Sequence, residues 1–331
     1  MSRALVLDTP GPAGSGPLHL ENRPALAPDA GQLLVRVIAC GVCRTDLQLV
    51  EGDLVMHRRP VVPGHQVVGE VIVAGERATH RIGERVGATW LGGACGRCEY
   101  CTDGLENLCL DATFHGWDHD GGYADEMVID DAFAVGIDTD REPARIAPLL
   151  CAGVIGYRAL DLTGLGTGQR LGLYGFGSSA ALVLQLALDR DIEVHVATRS
   201  APEQARARHM GAASIGGYDQ PPPQPLHAAI TFAPVGSVVV DALRAVRRGG
   251  TVVVNAIHLD EMPAFDYDLL WHERSIRSVA NVTRADIAGL LAADARIGLA
   301  VDPQPYGLIE ANQALADLAA GANTGPAVLL T

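Results

Sequence analysis

The chain has 331 residues, of which 48% are hydrophobic and 19% charged, and its formal net charge at pH 7 is −14. This length predicts two domains that each bury a core of their own. The acidic balance, with no basic block, argues against nucleic acid as a partner, and no apolar run is long enough to cross a membrane. The N-terminal segment MSRALVLDTPGPAG lacks the pattern of a signal peptide, so we expect a cytoplasmic protein.

Residues 1–150 are predicted to form a β-rich, partly barrel-like domain. Short apolar stretches broken by Gly and Pro run through this part of the chain, as in LLVRVIACGVC, VVPGHQVVGEVIVAG, RIGERVGATWL and GGYADEMVI. Such stretches, with turn residues between them, are typical of short strands.

Residues 152–290 change to an alternation of strands and helices. LGLYGFGSSAALVLQLALD predicts a strand, a glycine turn and a helix. It is followed by IEVHVAT (strand), PEQARARHMGA (helix), AAITFAP (strand), SVVVDALRAVRRGG (helix) and TVVVNAI (strand). This alternation indicates a parallel sheet with helices on both faces.

The last segment, 291–331, breaks that rhythm. A helix over 308–320 and a final strand are predicted to return to the first domain. We therefore predict an α/β protein with one domain formed by 1–151 and 291–331 and a doubly wound cofactor domain formed by 152–290.

A glycine motif opens the second domain. Gly175, Gly177 and Ala180 form the pattern G-x-G-x-x-A between the predicted strand and helix. The first glycine permits a tight turn, the second lets the backbone approach a pyrophosphate, and the small third residue lets the helix pack on the strand. The helix N-terminus would face the anion. The predicted cofactor contacts in this turn are Gly175, Phe176, Gly177, Ser178, Ser179 and Ala180.

The end of the next predicted strand bears on which dinucleotide binds. A site for NAD usually has a carboxylate about 20 residues past the glycines, but this count reaches Thr198. The neighbouring Arg199 could pair with a 2′-phosphate through its planar guanidinium. Thr198, Arg199 and Ser200 therefore predict a preference for NADP(H) over NAD(H). A solvated arginine at a strand end is the alternative.

Four cysteines crowd into fifteen residues as CxxCxxCx7C. Four thiolates close a tetrahedral shell, so this lobe, at about residues 91–110, is predicted to hold a structural zinc ion. Its ligands would be Cys95, Cys98, Cys101 and Cys109.

A second donor set is scattered along the chain. Cys43 in ACGVCRTD, His65 in PGHQ and Cys151 in LLCAGV supply two sulfurs and one imidazole, the donors of a zinc site with an open fourth position. Spacing alone does not bring these three residues together. A histidine after Pro-Gly is also a common turn residue, and a cysteine before Ala-Gly is also a common core residue.

Several motifs occur in the order found in zinc-dependent medium-chain alcohol dehydrogenases, a family that the chain resembles over essentially its whole length. These motifs are GVCRTD, PGHQVVGEV, GERVG, the four-cysteine lobe, DGGYADE, CAGVIGYRAL and the glycine turn. The resemblance implies a GroES-like catalytic domain, an inserted Rossmann domain and two zinc ions per chain. It also implies a homo-oligomer. The implied reaction is hydride transfer between NADP(H) and a primary alcohol or aldehyde, with zinc as Lewis acid on the substrate oxygen.

The resemblance also implies roles for single residues. Cys43, His65 and Cys151 match the catalytic zinc ligands, and the four lobe cysteines match the structural ones. Thr45 matches a hydroxyl that bonds the substrate oxygen, and Asp46 a carboxylate that orients the ligating histidine. Arg44 falls where a pyrophosphate contact is common. Trp90 and Trp117 fall where pocket-lining aromatic residues are found, although core packing would explain both.

Two positions depart from the family pattern. Gln66 follows the ligating histidine where a glutamate is usual, which removes a negative charge near the metal. The change could make a zinc-bound ligand more acidic or slow ligand exchange. Gln48 stands where a relay histidine is common, and it cannot titrate. These departures keep open a non-catalytic NADP(H)-binding protein that retains structural zinc. A zinc-independent quinone or enoyl reductase on the same fold is a further alternative.

Overall fold

The computed structural model describes residues 1–256 and 259–331. Its strands are β1 (Ser2–Leu7), β2 (Leu18–Arg23), β3 (Gln32–Gly41), β4 (Val67–Ala74), β5 (Arg85–Ala88), β6 (Leu91–Gly93), β7 (Thr113–Phe114), β8 (Glu126–Asp130), β9 (Val135–Gly136), β10 (Arg170–Tyr174), β11 (Glu193–Ala197), β12 (Ser214–Gly216), β13 (Leu226–Thr231), β14 (Val246–Val254), β15 (Ser275–Ser278), β16 (Gln304–Gly307) and β17 (Ala327–Leu330). Its α-helices are α1 (Arg44–Glu51), α2 (Glu99–Thr102), α3 (Pro143–Ile146), α4 (Ala152–Leu162), α5 (Ser178–Asp189), α6 (Ala201–His209), α7 (Gly236–Ala245), α8 (Arg284–Ile297) and α9 (Ala311–Ala320). Within these described ranges, no helix is both long enough and apolar enough to cross a membrane.

The first compact unit is β-rich, as predicted. It comprises Met1–Cys151, Thr283–Ala288 and Val301–Thr331. Its main sheet has the order β16-β17-β3-β4-β5-β9, and β8 also pairs with β3. The long central strand β3 pairs antiparallel with β4, β8 and β17, and its apolar side chains lie in the core of the unit. Cys43 follows β3 and His65 precedes β4, whereas the four-cysteine lobe lies between β6 and β7, which form a separate two-stranded sheet.

The second compact unit has the predicted parallel sheet. It comprises Ala152–Val282 and Gly289–Ala300. All neighbouring strands pair in parallel in the order β12-β11-β10-β13-β14-β15. Counted within the unit this order is 3-2-1-4-5-6, that of doubly wound dinucleotide-binding folds, and it places the switch point beside β10. The glycine turn follows β10 directly, so the predicted cofactor motif lies at that point of the sheet.

One helix is shorter than predicted. The prediction extended it through SVVVDALRAVRRGG, but α7 ends at Ala245 and β14 begins at the next residue. Val246 already pairs with Leu226 of β13, ahead of a register shift. Gly249, with φ of +70°, has a left-handed conformation that a helix cannot continue. The predicted strand TVVVNAI extends to Ile257, which lies outside the described residues.

The predicted return to the first domain, at residue 291, lies inside α8. The first residues of this helix group with the first unit as part of Thr283–Ala288, and the following ones with the second unit as part of Gly289–Ala300. The domain division at 290 and 291 stays a prediction.

Candidate metal and cofactor sites

The four-cysteine lobe brings its sulfur atoms together. It lies between β6 and β7 and contains the short helix α2 and a 3-10 turn at Glu106–Leu108. All four sulfurs lie within 4.8 Å of one another, with Cys98 and Cys101 3.6 Å apart. A tetrahedral zinc ion with Zn–S bonds of about 2.3 Å would set its sulfurs about 3.8 Å apart. The donors of the lobe therefore fit a zinc ion.

The electrostatics of the lobe favour a cation there. The backbone amides of Arg97 and Cys98 hydrogen-bond to the Cys95 sulfur and lower its pKa to about 6. Burial and the neighbouring thiol of Cys98 raise the pKa of Cys101. Thiols packed this closely do not all ionise without a cation between them, because like charges repel at this distance. Zinc would bind the four as thiolates and release their protons.

An ion pair that the sequence analysis did not find anchors the lobe. The guanidinium of Arg284 donates to both carboxylate oxygens of Glu106, at 2.6 and 3.0 Å, and the Arg284 amide donates to Glu106 as well. Arg284 also donates to the carbonyl of Ala132 and lies over the ring of Phe133. Hydrogen bonding to Arg284 lowers the pKa of Glu106. The lobe is thereby tied to a distant part of the same unit.

The second donor set also converges. Cys43 immediately precedes α1, His65 lies just before β4, and Cys151 follows a 3-10 turn. Their three ligand atoms lie within 4.8 Å of one another, and the Cys43 sulfur is 3.3 Å from Nε2 of His65. A tetrahedral zinc ion would set a sulfur and a nitrogen about 3.5 Å apart. The residues present fit a zinc ion with three protein ligands.

Opposing effects act on the His65 imidazole. Burial disfavours its charged form, but the charges of Asp46 and Cys43 outweigh burial and raise its pKa to about 10. The thiol of Cys43 has a pKa well above the ordinary value, because it hydrogen-bonds with Cys151 and is buried. Both pKa shifts show that the surroundings of Cys43 and His65 favour positive charge. A divalent cation bound by these donors would supply that charge.

Asp46 lies behind His65, where the resemblance implies an orienting carboxylate. Its side chain is 2% exposed, and it accepts the amide of Cys43 at 2.9 Å and that of Gly64 at 3.2 Å. One carboxylate oxygen is 3.2 Å from Nδ1 of His65. A carboxylate at Nδ1 favours the tautomer that leaves Nε2 free to ligate. The predicted role of Asp46 is compatible with this geometry.

The other predicted residues of this site lie on or beside the same elements. Thr45 is buried in the first turn of α1, and Arg44 is exposed at its first residue. Gln48 has a buried amide oxygen with no hydrogen-bond partner among the described atoms, and the amide nitrogen of Gln66 has none either. The Gln66 side chain occupies the space beside Gly41, where a Cβ would lie 2.7 Å from its oxygen.

A group of packed aromatic rings begins beside the imidazole of His65. Trp90 meets it edge-on at 4.7 Å between centroids, and Trp117 stacks on Trp90 at 5.8 Å. Two further rings, which the sequence analysis did not predict, join them: Phe114 lies 5.3 Å from Trp90, and His57 stacks on Trp117 at 3.7 Å. The chain has few aromatic residues, so their concentration here is distinctive. Their role in a substrate pocket stays a prediction.

The glycine turn has the shape that a dinucleotide needs. Gly175 has φ of +91°, and a Cβ there would lie 3.0 Å from the amide of Ala233. Gly177 caps α5, and a Cβ there would meet nothing within 4 Å, so the backbone is open on that side. Ala180 is fully buried, as the packing of helix on strand requires.

The remaining residues of the motif have different positions. The Phe176 side chain is buried, so only its backbone can meet a ligand. The Ser179 hydroxyl donates to the carbonyl of Ala152 at 2.7 Å and joins α5 to α4. Ser178 is the first residue of α5. The backbone at Gly177 and the first residue of α5 are thus the parts of the turn that remain open.

The carboxylate of Glu203, in α6, lies against the end of β11, and counting a fixed number of residues from the glycines did not find it. The Thr198 hydroxyl donates to Glu203 at 2.5 Å, and Ser200 caps α6 by accepting the Glu203 amide at 3.4 Å. The segment Ser-Ala-Pro-Glu at 200–203 has the spacing of a capping box, which could have indicated this placement. Arg199 is exposed, with its guanidinium 5.7 Å from the ring centroid of Tyr218. Arg206, also missed, donates to the carbonyl of Gly177.

Comparison with known proteins identifies the family. The family model for the alcohol dehydrogenase GroES-like domain matches residues 29–139. The chain is 47% identical over 328 residues to "Probable alcohol dehydrogenase AdhA" of Mycobacterium tuberculosis, a match that covers 97% of this chain and 95% of that relative. The chain belongs to the alcohol dehydrogenase family.

Solved structures of other dehydrogenases share the fold of this chain over nearly its whole length. A cinnamyl alcohol dehydrogenase from Sorghum bicolor superposes with a TM-score of 0.89 at 23% identity, covering 99% of this chain and 97% of that chain. A protein described as a "putative zinc-binding dehydrogenase" from Sinorhizobium meliloti 1021, bound to NADP, gives a TM-score of 0.87 at 24% identity, covering 100% of this chain and 99% of that chain. The predicted combination of a GroES-like domain with a Rossmann domain is confirmed.

Replacing the carboxylate that anchors the lobe should lower stability in a pH-dependent way. We expect Glu106→Gln to reduce the free energy of unfolding by about 1 to 2 kcal/mol at pH 7, since a charge-assisted pair is lost but Arg284 is half exposed. The folded-state pKa of Glu106 is lowered, so its contribution is present above the unfolded value of about 4.3 and is lost as the pH falls through the folded value. Urea unfolding at neutral and acid pH measures this. Glu99→Gln, an exposed change in the same lobe, is the control, and a difference that persists at acid pH contradicts the prediction.

Metal content should separate the two cysteine sites. We expect the wild-type chain to carry two zinc ions, and both Cys98→Ala and Cys43→Ala to carry one. The Cys98 variant should also unfold more readily, because a structural zinc ion contributes folding free energy. Elemental analysis of purified protein gives the counts. Cys40→Ala, a buried cysteine outside both clusters, should retain two ions, and a wild-type count of one would refute the second site.

Proposed function

We propose that the chain is a zinc-dependent oxidoreductase that transfers a hydride between NADP(H) and a primary alcohol or aldehyde. The observation that carries the proposal is the convergence of Cys43, His65 and Cys151 with Asp46 behind the histidine. Three protein ligands leave one position for a substrate oxygen. The name of the relative that is 47% identical supports an alcohol as substrate.

The chemistry divides between the bound groups and the chain. When bound, zinc supplies a Lewis acid that polarises the substrate oxygen, and the nicotinamide supplies or accepts the hydride. Cys43, His65 and Cys151 hold the metal, and Asp46 keeps His65 in its ligating orientation. Thr45, buried beside Cys43 in α1, transfers the proton at the substrate oxygen. Since Gln48 cannot titrate, that proton reaches solvent through water or the cofactor ribose.

The charges at the end of β11 support the choice of cofactor. Among the described residues no carboxylate forms an ion pair with Arg199, whose guanidinium therefore has its charge available for a 2′-phosphate. Glu203, the carboxylate nearby, already accepts the hydroxyl of Thr198. One oxygen of Glu203, in α6, thus lies against Thr198, and Arg199 is the exposed charged side chain next to the strand end. The backbone of Gly175 and Gly177 would bind the pyrophosphate, and Arg44 is proposed as a further contact.

The convergence of the second donor set disfavours the two alternatives. A zinc-independent reductase has no need of two thiols and an imidazole within 4.8 Å of one another. A scaffold with structural zinc alone has no need of a buried Asp46 beside the imidazole. The homo-oligomeric state and the class of alcohol stay predictions.

Removing a ligand of the second site should abolish turnover and leave cofactor binding intact. We expect Cys43→Ala and His65→Ala to lower kcat for aldehyde reduction by about a thousandfold, because several kcal/mol of Lewis-acid stabilisation are lost. Absorbance of NADPH and NADH, followed in parallel against a panel of aldehydes, measures turnover, and fluorescence titration measures cofactor binding. Unchanged turnover in either variant would refute the proposal. Wild-type protein that carries two zinc ions but is silent with the whole panel would favour the non-catalytic alternative.

The cofactor preference should depend on one guanidinium. We expect Arg199→Ala to weaken NADPH binding about tenfold and to leave NADH binding unchanged, since only NADPH has the 2′-phosphate. Arg208→Ala, an exposed arginine further along α6, is the matched control. Equal affinity for the two cofactors in the wild type, or an equal loss for both in the variant, contradicts the assignment.

A further inference from the structure

The segment DGGY at 120–123 packs directly on the loop that carries His65. The amide of Gly121 donates to the carbonyl of Val62 at 2.7 Å, that of Gly122 to Gly64 at 2.9 Å, and that of Tyr123 to Pro63 at 3.0 Å. These bonds end one residue before the predicted metal ligand. The motif thus fixes the histidine loop from behind.

This packing is too close for side chains at the glycine positions. A Cβ at Gly121 would lie 2.0 Å from the carbonyl oxygen of Gly64, and one at Gly122 would lie 2.2 Å from the Val67 side chain. Gly64 itself has φ of +98°, and a Cβ there would lie 2.4 Å from the ring of Tyr123. The tyrosine ring therefore occupies the space that Gly64 leaves free.

The Tyr123 ring lies against Gly64, whose backbone amide donates to Asp46 at 3.2 Å. Tyr123 is completely buried, and its hydroxyl completes no hydrogen bond to any described atom. Burial raises the pKa of Tyr123 well above the ordinary value, and the nearby charge of Asp46 raises it further. Nδ1 of His65 likewise completes no hydrogen bond, although it lies 3.2 Å from Asp46. Both buried polar atoms thus interact with the Asp46 side chain without the geometry of a complete hydrogen bond. An incomplete hydrogen bond in a buried site costs free energy.

Asp46 has the capacity to accept both. A carboxylate offers about four lone-pair positions, and the amides of Cys43 and Gly64 take two of them. A proton on Nδ1 of His65 and the proton of the Tyr123 hydroxyl would fill the rest. Four hydrogen bonds would then hold the Asp46 carboxylate in one orientation. The carboxylate would in turn hold the His65 imidazole.

We propose that Tyr123 is a positioning residue for the metal at Cys43, His65 and Cys151, its hydroxyl donating to the Asp46 carboxylate that orients His65. The inference rests on the proposed function in that it requires a metal at this site. It differs from a purely steric role for Tyr123, because a ring without a hydroxyl would fill the same space.

Tyr123→Phe tests the inference, since it removes one oxygen and retains the ring. We expect the zinc affinity of this site to fall about tenfold, as when other groups that support a metal ligand are removed. Competition with a chromophoric chelator measures the affinity, and the absorption spectrum of cobalt bound at the site should change with the orientation of His65. The four-cysteine site in the same molecule should keep its zinc.

Tyr306→Phe is the matched control. Tyr306 is a buried tyrosine of the same unit whose hydroxyl donates to Asp317 at 2.8 Å, outside both metal sites. It should retain wild-type zinc affinity and the wild-type cobalt spectrum. Wild-type affinity and spectrum in Tyr123→Phe, or an equal loss of affinity in both variants, would overturn the inference.

A second measurement separates the hydrogen bond from a general loosening. In an Asp46→Ala background, which removes the acceptor, Tyr123→Phe should have no further effect on zinc affinity if the hydroxyl acts through the carboxylate, whereas additive losses would overturn the inference. All of these measurements omit substrate and cofactor. A site that binds zinc tightly but supports no turnover would refute the proposed function alone.

Discussion

The buried carboxylate of Asp46 is the constraint on which the arrangement of Cys43, His65 and Cys151 as a candidate metal site depends. A carboxylate that is 2% exposed requires donors around it, because transfer of an unpaired charge from water is very costly. The amides of Cys43 and Gly64 supply two of them, and these residues belong to two separate segments of the first unit. Satisfying Asp46 therefore joins the start of α1 to the histidine loop. The approach of the Cys43 sulfur to Nε2 of His65 follows from that junction.

The backbone around Asp46, where the start of α1 meets the loop of His65, is closely packed. Gly64 and Gly121 have no space for a Cβ, since each would collide with a neighbouring backbone or ring. Backbone that packs this closely cannot shift without breaking several hydrogen bonds at once, so the donors are held before a metal arrives. Preorganisation of this kind is what a metal site needs to select a coordination geometry. The aromatic stack that begins at Trp90 then borders the imidazole on one side.

Local spacing explains which features could be predicted from the sequence. The four lobe cysteines lie within one short segment, so a turn and α2 suffice to bring their sulfurs together, and the glycine motif likewise forms within a single strand–turn–helix. In both features the residues that carry the prediction lie close together in the chain. By contrast, Glu203 reaches Thr198 only because α6 begins where it does, and counting to a fixed position along the strand missed it. The early end of α7 was missed for a similar reason, since Val246 is paired with Leu226 of β13.

The sequence by itself determined the two-part α/β architecture, the lobe with its four thiols, and the glycine turn between a strand and a helix of the parallel sheet. Periodicity and short-range spacing are sufficient for each, because the relevant contacts are close in the chain. Only the tertiary structure shows, independently of the family resemblance, that the ligand atoms of Cys43, His65 and Cys151 come together and that Asp46 lies beside the imidazole. It alone shows that the Tyr123 ring packs against Gly64. These contacts join residues far apart in sequence, and what brings them together is the need to satisfy buried polar groups within one packed core.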